Sequence, residues 1–472
     1  MRKTKIICTL GPACRDRETL SKMIDCGMNV ARLNFSHQNH DFHLENIRTL
    51  KSLREEKSVP LALLLDTKGP EIRTGTLENP PLFLQTGETV ILTSEKVLGN
   101  RERISVNSKL LAAAVTGGNR ILLDDGKIVL TVESVENGEI FCRVAVGGTL
   151  GNTRGVNVPD VHIEMPFLSE QDKEDLLFGL REGVDYVAAS FVRTAEDVIA
   201  LREFLTRNGG GHIGIIAKIE NQSALDDFDR ILSLSDGIMV ARGDMAVEIP
   251  FEQLPAIQKQ LVQKSYQCGK PAVIATQMLE SMIENAAPTR AEINDVATAV
   301  FEACSAVMLS GETAIGRDGA AVVTAMARIC ERAELDAVRL SLYPDRKEPQ
   351  TTRDCTEAVC AAAVTAAEVM AAEAVIAVTH SGLTARNLSG WRSEIPLIGA
   401  TDNPTVYHQL SLNWGVIPLK TETQDTLDTL LAHVSERAVS TGLLHQGESA
   451  VITVGAPIGS GGNTNALKII EI

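Results

Sequence analysis

The stretch IIAKIENQ, residues 215–222, joins an apolar run to two charged residues. Four of its first five residues are isoleucine or alanine, which is typical of a strand buried on both faces. Lys218 and Glu220 interrupt that run. Because successive strand side chains alternate faces, the two charges lie on one face, roughly 6–7 Å apart along the strand. A buried strand that ends in such a pair points to a polar site at that end.

Short aliphatic runs of the same kind recur along the chain. They are TKIICTL (4–10), NVARLNF (29–35), LALLLDT (61–67), YVAASFV (186–192), IGIIAKI (213–219), GIMVARG (237–243), PAVIATQ (271–277) and AVMLSGE (306–312). Helical patterns separate most of them, such as DRETLSKMIDCG with Gly27 as a C-cap and SEQDKEDLLFGLREG with Ser169 as an N-cap. Eight such strands predict an α/β fold built on a closed (β/α)8 TIM barrel. Counting strands leaves an open doubly wound sheet as the alternative.

Two segments depart from the alternation of strands and helices that predicts the barrel. Between Pro70 and Pro166 the pattern changes to alternating strands and tight turns, with hairpin signals at Asp125-Gly126 and Asn137-Gly138. A polar linker, YPDRKEPQTTRD (343–354), precedes a second set of helix and strand patterns that suits an open sheet. The predicted domains are therefore a catalytic barrel (1–69 and 168–342), an inserted β-barrel-like lid (70–167) and a C-terminal α/β domain (350–472).

The amino-acid composition indicates which binding partners and which cellular compartment to expect. The net charge of -16 over 472 residues argues against nucleic acid or an anionic membrane as the main partner. Nine cysteines without C-x-x-C spacing favour a reducing, cytoplasmic setting, and the first residues lack a secretory signal. The most apolar stretch, 358–378, carries Glu368 and Glu373 and is interpreted as a helix running into a buried strand.

Polar residues follow six of the candidate strands at the same end. They are Arg32, Asn34 and Ser36; Asp66 and Thr67; Lys218 and Glu220; Arg242, Gly243 and Asp244; Thr276 and Gln277; Ser310, Gly311 and Glu312. Functional groups of a (β/α)8 barrel sit at the C-terminal ends of its strands, so these groups are expected to share one mouth.

Each of these residues also has an ordinary structural interpretation. A charged residue at a strand end is most often a solvated rim residue, and Asp244 after a glycine can be a helix N-cap or a turn residue. Lys218 and Glu220 can form a purely structural ion pair, although a buried pair is weak evidence for stability. Six unrelated explanations at one end of one barrel are less economical than a single polar site.

The residue types favour metal-assisted phosphate chemistry. Glu220 and Asp244 supply two carboxylates from neighbouring strands, which suits Mg²⁺ or Mn²⁺ with open positions for water and substrate. Arg32 and Lys218 then face an anion held by that metal. A second set rich in oxygen suits a monovalent cation or phosphate positioning: Asn34, Ser36, Asp66 and Thr67. Metal, lysine and arginine together neutralise a transferring phosphoryl group, so phosphoryl transfer or enolate chemistry on a small acid is expected.

Eight motifs of the chain, in order, resemble those of the pyruvate kinase family. They are KIICTLGPA, ARLNFSH, LLDTKGPEIR, IAKIENQ, IMVARGDMAVEIP, ATQMLESM, PTRAEINDVA and AVMLSGETA. The resemblance covers the barrel from end to end, and the insertion and C-terminal domain fall where the family has its lid and effector domain. It implies transfer of the phosphoryl group of phosphoenolpyruvate to ADP, giving pyruvate and ATP, with Mg²⁺ (or Mn²⁺) and K⁺ as cofactors.

The resemblance also assigns residues. It implies that Arg32 and Lys218 contact the phosphoryl group, Glu220 and Asp244 bind Mg²⁺, and Gly243 and Thr276, beside Asp244, form the substrate carboxylate site. The K⁺ site is implied at Asn34, Ser36, Asp66 and Thr67, of which Asn34 and Ser36 also face the nucleotide with His37, Arg73 and Arg154. Ser310 and Glu312 match a proton relay to the enolate, whose donor is less settled.

Further expectations concern regulation. Glu71 matches family members that need K⁺, whereas members with lysine there do not, so K⁺ dependence is predicted. The segment THSGLTAR (379–386) resembles the family's effector loop, with Thr379, Ser381, Gly382 and Thr384 around a phosphorylated sugar or nucleotide, and GAPIGSGGNTN (455–465) lies across it; an ordinary surface turn is the alternative. The family resemblance suggests a homotetramer.

Several positions depart from the family's usual pattern. Gln38, Met245-Ala246, EACSAV (302–307) and Arg154 replace commoner residues, which affects nucleotide affinity more than chemistry. Two other classes stay open from the sequence: a Mg²⁺-dependent lyase or aldolase acting on pyruvate enolate, and a non-catalytic sensor of phosphometabolites. The K⁺-like set and Arg73 speak against the first, and the retained Lys218 and metal ligands against the second.

Overall fold

The structure is a computed structural model that describes residues 2–159, 161, 163–343, 354–457 and 464–472. The chain begins with the first three strands of a barrel and two helices. These are β1 (Lys5–Thr9), α1 (Arg17–Asp25), β2 (Val30–Asn34), α2 (His40–Glu56) and β3 (Ala62–Asp66). Helix α1 ends at Asp25 with Cys26 as its C-cap, so the predicted C-cap at Gly27 is one residue late; Gly27 follows with φ of 114°.

A β-rich insertion follows β3, as the turn signals predict. Its elements are β4 (Leu82–Leu84), β5 (Thr89–Thr93), β6 (Arg103–Ser105), α3 (Leu110–Ala114), β7 (Arg120–Leu123), β8 (Ile128–Glu136), β9 (Glu139–Val146), β10 (Gly148–Leu150) and β11 (Val156–Asn157). Six of the strands form one sheet in the order β11-β7-β8-β9-β5-β6, and β10 pairs with β4. Both hairpin signals are confirmed, because Asp125-Gly126 and Asn137-Gly138 have positive φ between paired strands.

The barrel then resumes. Its elements are α4 (Glu170–Arg181), β12 (Tyr186–Ala189), α5 (Ala195–Arg207), β13 (Gly214–Ile219), α6 (Gln222–Asp226), α7 (Phe228–Leu234), β14 (Gly237–Ala241), α8 (Arg242–Glu248), α9 (Leu254–Gln267), β15 (Ala272–Ala275), α10 (Arg290–Phe301), β16 (Ala306–Leu309), α11 (Gly311–Ala314) and α12 (Gly319–Arg339). Ser169 caps α4, accepting a hydrogen bond from the backbone N–H of Asp172 as predicted.

The sheet closes on itself. Strand β1 pairs in parallel with β2 on one side and with β16 on the other, giving the order β1-β16-β15-β14-β13-β12-β3-β2. The predicted (β/α)8 barrel is therefore confirmed, and the open doubly wound alternative is wrong. A continuous core packs the strands against the surrounding helices, and a smaller cluster fills the barrel interior.

Several strands are shorter than the sequence predicts. GIMVARG stops at Ala241 and AVMLSGE stops at Leu309, because Arg242–Glu248 and Gly311–Ala314 turn into short helices. In the same way YVAASFV stops at Ala189 and PAVIATQ stops at Ala275. The polar residues that follow therefore sit on loops and helix starts at the barrel rim.

The C-terminal part has a five-stranded sheet between two apolar clusters. Its elements are α13 (Cys355–Met370), β17 (Ala374–Val378), α14 (Leu383–Ser389), β18 (Leu397–Thr401), α15 (Pro404–Gln409), β19 (Val416–Lys420), α16 (Leu427–Ser440), β20 (Ser449–Val454) and β21 (Ala466–Glu471). The apolar stretch 358–378 forms α13 and β17 as predicted. Within the described ranges, no helix is long and apolar enough to cross a membrane.

This domain docks at the end of the barrel where the strands begin. Tyr186 at the start of β12 donates its hydroxyl to the carbonyl of Gln409 at 2.8 Å, and Lys5 Nζ donates to the carbonyl of Val416 at 2.7 Å. The mouth at the other end faces the insertion, since Asn157 Nδ2 donates to Glu248 Oε1 at 2.9 Å. The exact domain limits stay a prediction, and most of the predicted linker lies outside the described residues.

Candidate active site

The polar site continues the inward-facing rows of the barrel strands. Ile7, Val30, Leu64, Ala188 and Ile216 belong to the buried cluster in the barrel interior. Two residues further along the chain stand Thr9, Arg32, Asp66 and Lys218, on the same face of their strands, and Ser190, which directly follows the end of β12. Strand alternation therefore replaces an apolar layer by a polar one at the C-terminal end of the barrel.

Asp66 is the centre of this polar layer. Its Oδ2 accepts from Arg32 Nε at 2.6 Å, and its Oδ1 accepts from Ser190 Oγ at 3.1 Å and from Lys218 Nζ at 3.3 Å. Arg32 also donates through Nη1 to Thr9 Oγ1 at 2.9 Å. Both cations are 8% exposed and Asp66 is 1% exposed, so the layer is shielded from bulk water.

Lys218 and Glu220 are paired, as their spacing suggests. Lys218 Nζ lies 3.0 Å from Glu220 Oε1 and donates to Ser190 Oγ at 2.7 Å. The other oxygen of Glu220 accepts from the backbone N–H of Phe191 at 2.7 Å. A buried pair held by so many further contacts has a fixed geometry, which a preorganised electrostatic site requires.

The charges of this layer shift one another's ionisation. Burial opposes the charge of Asp66, but Arg32 and Lys218 outweigh it and lower the pKa of that carboxyl. Burial also works against the Lys218 ammonium, yet Asp66, Glu220 and Asp244 outweigh it and raise its pKa. Glu220 is the exception, because burial dominates and raises the pKa of its carboxyl. This carboxylate is the one that gains most from a further cation.

Glu220 has an oxygen available for such a cation. Its Oε1 is buried and accepts no hydrogen bond among the described residues, although Lys218 is close. Asp244, at the start of α8, lines the adjacent cavity and is the other carboxylate that acts on Glu220. The described part of the chain has no cluster of three or more His, Cys, Asp or Glu able to hold a metal. Two carboxylates fit Mg²⁺ or Mn²⁺, which completes its shell with water and substrate oxygens.

The Gly243 and Thr276 pair is brought together from two strand ends. Thr276 Oγ1 accepts from the backbone N–H of Gly243 at 2.8 Å and donates to the carbonyl of Ala275 at 2.6 Å. Thr276 has φ of 69°, a left-handed conformation that costs free energy in a β-branched residue. Arg242 holds this turn by donating to the carbonyl of Thr276 at 2.5 Å and pairing with Asp295 at 2.7 Å.

Ser310 and Glu312 also lie together. Glu312 is 2% exposed, and its two oxygens accept from the backbone N–H groups of Ser310 at 2.6 Å and Leu279 at 3.1 Å. The carboxylate thus holds two loops at the rim, while the Ser310 side chain continues the inward row of β16. In this arrangement Glu312 positions Ser310.

A cavity of about 600 Å³ lies between the insertion and the barrel mouth. The predicted residues that line it are His37, Arg73, Arg154 and Asp244, together with Glu71. Arg73 is anchored by Nε to Glu71 Oε2 at 2.6 Å and by Nη1 to the carbonyl of Thr153 at 3.0 Å. Arg154 Nη1 lies 3.5 Å from Asp124 Oδ1, and its side chain is half exposed.

The set predicted to hold K⁺ is only partly assembled around shared contacts. Asp66 ends β3 and Thr67 follows it, and Thr67 Oγ1 accepts from the backbone N–H of Ser190 at 3.1 Å. Asn34 Oδ1 accepts from the backbone N–H of Ser36 at 3.1 Å, so these two form a local turn. Asn34 pairs in register with Asp66, which brings the two halves of the set side by side.

In the C-terminal domain, 379–386 forms a tight loop into α14. Thr379 Oγ1 accepts from the N–H of Gly382 at 3.0 Å, and Gly382 has φ of 81°. Ser381 Oγ accepts from the N–H of Leu383 at 3.4 Å, and Thr384 Oγ1 lies 2.5 Å from Thr464 Oγ1. Most of the loop predicted across it, residues 458–463, lies outside the described residues.

Comparison with known proteins assigns this architecture. The model for the pyruvate kinase barrel domain matches residues 1–323, and the model for the pyruvate kinase alpha/beta domain matches residues 357–470. The chain belongs to the pyruvate kinase family. It is 44% identical over 471 residues to the pyruvate kinase of Geobacillus stearothermophilus, covering 99% of this chain and 80% of that one. With the pyruvate kinase of Clostridium acetobutylicum it shares 42% identity over 470 residues, 99% of each chain.

A solved structure agrees with the sequence relatives. A pyruvate kinase from Cryptosporidium parvum has a TM-score of 0.90 and 37% identity, with 100% of this chain and 96% of that chain covered. The chain is therefore a phosphotransferase that moves the phosphoryl group of phosphoenolpyruvate to ADP, giving pyruvate and ATP. Pyruvate kinases in general use a divalent metal ion and K⁺.

Sequence reasoning missed two members of the polar layer. Ser190 bonds to Asp66, Lys218 and the Thr67 carbonyl, and Thr9 bonds to Arg32. Both stand two residues beyond an apolar inward residue, so the strand-end signal was present in the sequence for them too. Serine and threonine are common at strand ends, which hides them among turn formers.

Proposed function

We propose that the buried layer around Asp66 is the phosphoryl-transfer site and that Arg32 and Lys218 neutralise the transferring group. The observation that carries this proposal is the fixed contact of both cations with one carboxylate, at 2.6 and 3.3 Å, at the mouth of the barrel. A preorganised cation costs no reorganisation when charge moves in the transition state. Asp66 thus orients Arg32 and Lys218 for the phosphoryl oxygens.

Glu220 and Asp244 would hold the divalent metal ion, which we propose to be Mg²⁺ or Mn²⁺. The bound ion would neutralise phosphoryl and enolate oxygens. Lys218 Nζ lies 3.0 Å from Glu220 Oε1, so the ammonium and the ion would share this carboxylate. The backbone N–H of Phe191 keeps the second Glu220 oxygen in place, so the first stays directed at the site.

The remaining site residues are proposed to orient the two substrates. The backbone N–H of Gly243 and the hydroxyl of Thr276 are proposed to bind the carboxylate of phosphoenolpyruvate, whose oxygens would replace Thr276 Oγ1 and the Ala275 carbonyl as acceptors. His37, Arg73 and Arg154 line the cavity and suit the ADP phosphates. Asn34 and Ser36 do not line it, and their contact with the nucleotide is proposed from the family resemblance alone. Closure of the insertion over this cavity would exclude water, which otherwise competes for the phosphoryl group.

Protonation of the enolate is proposed to pass through Ser310. Its side chain belongs to the inward row of β16, and Glu312 fixes its backbone through a bond of 2.6 Å. The Glu312 carboxylate is occupied by two backbone N–H groups, which supports a positioning role for it over direct proton transfer.

A monovalent cation site is proposed at Asn34, Ser36, Asp66 and Thr67. Hydroxyl, amide and carboxylate oxygens from two adjacent strands suit K⁺ better than a small divalent ion, which prefers more carboxylates. Glu71 is proposed to make the enzyme K⁺-dependent, because a lysine there could supply the missing positive charge itself.

The C-terminal loop at Thr379, Ser381, Gly382 and Thr384 is proposed to bind the phosphate of a sugar or nucleotide effector. Its hydroxyls and the left-handed Gly382 support a phosphate cradle. We also retain as proposals a homotetramer, the domain limits given above and a cytoplasmic location. Nine cysteines without a disulfide, all in the described ranges, support the last.

Metal binding tests the central assignment separately from turnover. Mn²⁺ titration followed by electron paramagnetic resonance should give an affinity at least about tenfold weaker in Glu220→Gln and in Asp244→Asn, since each loses one of two charged ligands. Glu284→Gln is the control, because Glu284 is exposed and pairs only with Arg317 in the described structure. Unchanged Mn²⁺ affinity in Glu220→Gln, with the variant folded, would contradict the metal assignment.

A further inference from the structure

One ion pair adjoins the turn that carries Gly243 and Thr276. Arg242, at the start of α8, donates through Nη1 to Asp295 Oδ1 at 2.7 Å. Asp295 lies on α10, the α-helix that follows β15, and within the described ranges it is the one ion-pair partner of Arg242. The pair therefore joins the end of β14 to a helix of the outer layer.

The same guanidinium clamps the turn after β15. Its Nε donates to the Ala275 carbonyl at 3.2 Å, and its Nη2 donates to the Thr276 carbonyl at 2.5 Å. Thr276 and Gln277 have φ of 69° and 55°, two left-handed residues in succession, so this backbone conformation needs support from outside the turn. The rigid fork of Arg242 supplies that support at two neighbouring carbonyls at once.

Substrate binding would remove one link between the two strand ends and leave another. The first link runs from the backbone N–H of Gly243 to Thr276 Oγ1 at 2.8 Å, and from that hydroxyl to the Ala275 carbonyl at 2.6 Å. Both donors are proposed to turn to the carboxylate of phosphoenolpyruvate, so this link is given up when the substrate binds. The bonds from Arg242 to the two carbonyls use other hydrogens and can persist.

We infer that Asp295 is a positioning residue for the carboxylate of phosphoenolpyruvate. It fixes the guanidinium of Arg242, which in turn keeps Gly243 and Thr276 at the spacing that a carboxylate requires. Without Asp295 the fork can rotate away from the two carbonyls, and the donors of the turn lose their alignment, because binding groups depend on the residues that hold them. This inference rests on the carboxylate site proposed at Gly243 and Thr276.

The expected effect is confined to the carboxylate end of the substrate. The phosphoryl end is proposed to lie at Arg32 and Lys218, which share Asp66. In the described part of the chain, none of these three side chains bonds to the ion pair beside the turn. Vinyl phosphate is phosphoenolpyruvate without its carboxylate, so it uses the phosphoryl end alone. Loss of Asp295 should therefore weaken the binding of phosphoenolpyruvate and spare that of vinyl phosphate.

Calorimetric titration of the full-length protein in Mg²⁺ and K⁺, without ADP, measures this difference. In Asp295→Ala the dissociation constant of phosphoenolpyruvate should rise at least about fivefold, while that of vinyl phosphate, measured by displacement, should stay within about twofold of the parent value. The Asp295 side chain is 33% exposed, so its removal opens no buried cavity. Arg242→Lys keeps the charge but loses the fork, and it should give the same selective weakening. Asp336→Ala is the matched control, since Asp336 pairs with Arg332 and Arg339 on α12, and it should leave both constants unchanged.

A further variant separates this inference from the carboxylate site on which it rests. Thr276→Ala removes a group proposed to touch the carboxylate, so it should also weaken phenylacetate-free binding of phosphoenolpyruvate selectively over vinyl phosphate. If Thr276→Ala does so while Asp295→Ala keeps the parent ratio of the two constants, the positioning role is wrong and the carboxylate site stands. If neither variant changes the ratio, the carboxylate site is misplaced and the inference falls with it. Equal weakening of both ligands in Asp295→Ala would show a general structural role and would also overturn the inference.

Discussion

The most demanding prediction concerns removal of the Lys218 charge. In Lys218→Met the aliphatic stem is kept, while the contacts with Asp66 at 3.3 Å, Glu220 at 3.0 Å and Ser190 at 2.7 Å are lost. A unit charge about 4 Å from a phosphoryl oxygen is worth about 4 kcal/mol at an effective dielectric constant of about 20. Each 1.36 kcal/mol is a factor of ten in rate, so kcat should fall about 1000-fold.

The same substitution should cost the fold much less. Asp66 keeps Arg32 at 2.6 Å, so it does not become an unpaired buried charge. Glu220 loses its cation, but burial already raises the pKa of this carboxyl, and binding a proton relieves the charge. We therefore expect the free energy of unfolding to fall by less than the 3–5 kcal/mol typical of breaking a buried pair.

The assay is the initial rate of pyruvate formation with saturating phosphoenolpyruvate, ADP, Mg²⁺ and K⁺. Lys264→Met is the matched control, because Lys264 is an exposed lysine paired with Asp229 on the surface. It should retain the parent kcat. A folded Lys218→Met enzyme with kcat within about tenfold of the parent would refute the electrostatic role, since that leaves at most about 1.4 kcal/mol for the charge.

Three further outcomes are expected. Glu71→Lys should retain activity when K⁺ is replaced by tetramethylammonium. The control Glu78→Lys, also in the insertion, should still need K⁺. Persistent K⁺ dependence in Glu71→Lys would contradict the proposal that Glu71 makes the enzyme K⁺-dependent. Between pH 6.5 and 5, His408→Leu should lose about 2 kcal/mol less stability than the parent, because burial lowers the pKa of His408 to about 3 while the unfolded chain takes up a proton near pH 6.5. Denaturation midpoints of the parent, His408→Leu and the exposed control His445→Leu, measured across this pH range, test the prediction. Parallel pH profiles for the parent and His408→Leu would contradict it. Thr384→Val should keep basal turnover and lose activation by phosphorylated sugars or nucleotides, and unchanged activation would place the effector elsewhere.

The sign of the pH effect follows from the folded and unfolded values. The pKa of His408 is depressed in the folded protein, so its contribution to stability is fully present above the unfolded pKa. It is lost progressively as the pH falls below about 6.5, where the unfolded state binds the proton first. Arg54, Lys420 and Lys51 add to the effect of burial by disfavouring a charged imidazole.

The barrel was predictable because its strands carry their own signal. Near-continuous aliphatic runs separated by capped helices favour a parallel sheet under helices, and all eight runs became barrel strands. Closure was not fixed by that signal. It depends on the pairing of β1 with β16, some 300 residues apart, which no local pattern encodes.

Strand ends were predicted less well than strands. Arg242, Gly243 and Asp244 were expected at the end of a strand, but the chain turns into α8 after Ala241. Thr276 takes a left-handed conformation that β-branched residues usually avoid. In both places contacts between neighbouring loops set the backbone, as when Arg242 bonds to the Thr276 carbonyl.

Within the site, alternation along single strands carried most of the information. It placed Lys218 and Glu220 on one face, and the structure pairs them at 3.0 Å. Alternation along a single strand does not predict the contacts between strands. Sequence spacing could not show that Asp66 would be shared by Arg32 and Lys218, or that Ser190 would join them.

Phosphorus NMR of the full reaction tests the central claim most directly. With the parent enzyme in the presence of Mg²⁺ and K⁺, loss of the phosphoenolpyruvate signal should match growth of the ATP γ-phosphate signal one for one. Lys218→Met should slow both together. Inorganic phosphate in place of ATP, or equal rates for parent and Lys218→Met, would contradict phosphoryl transfer at the layer around Asp66.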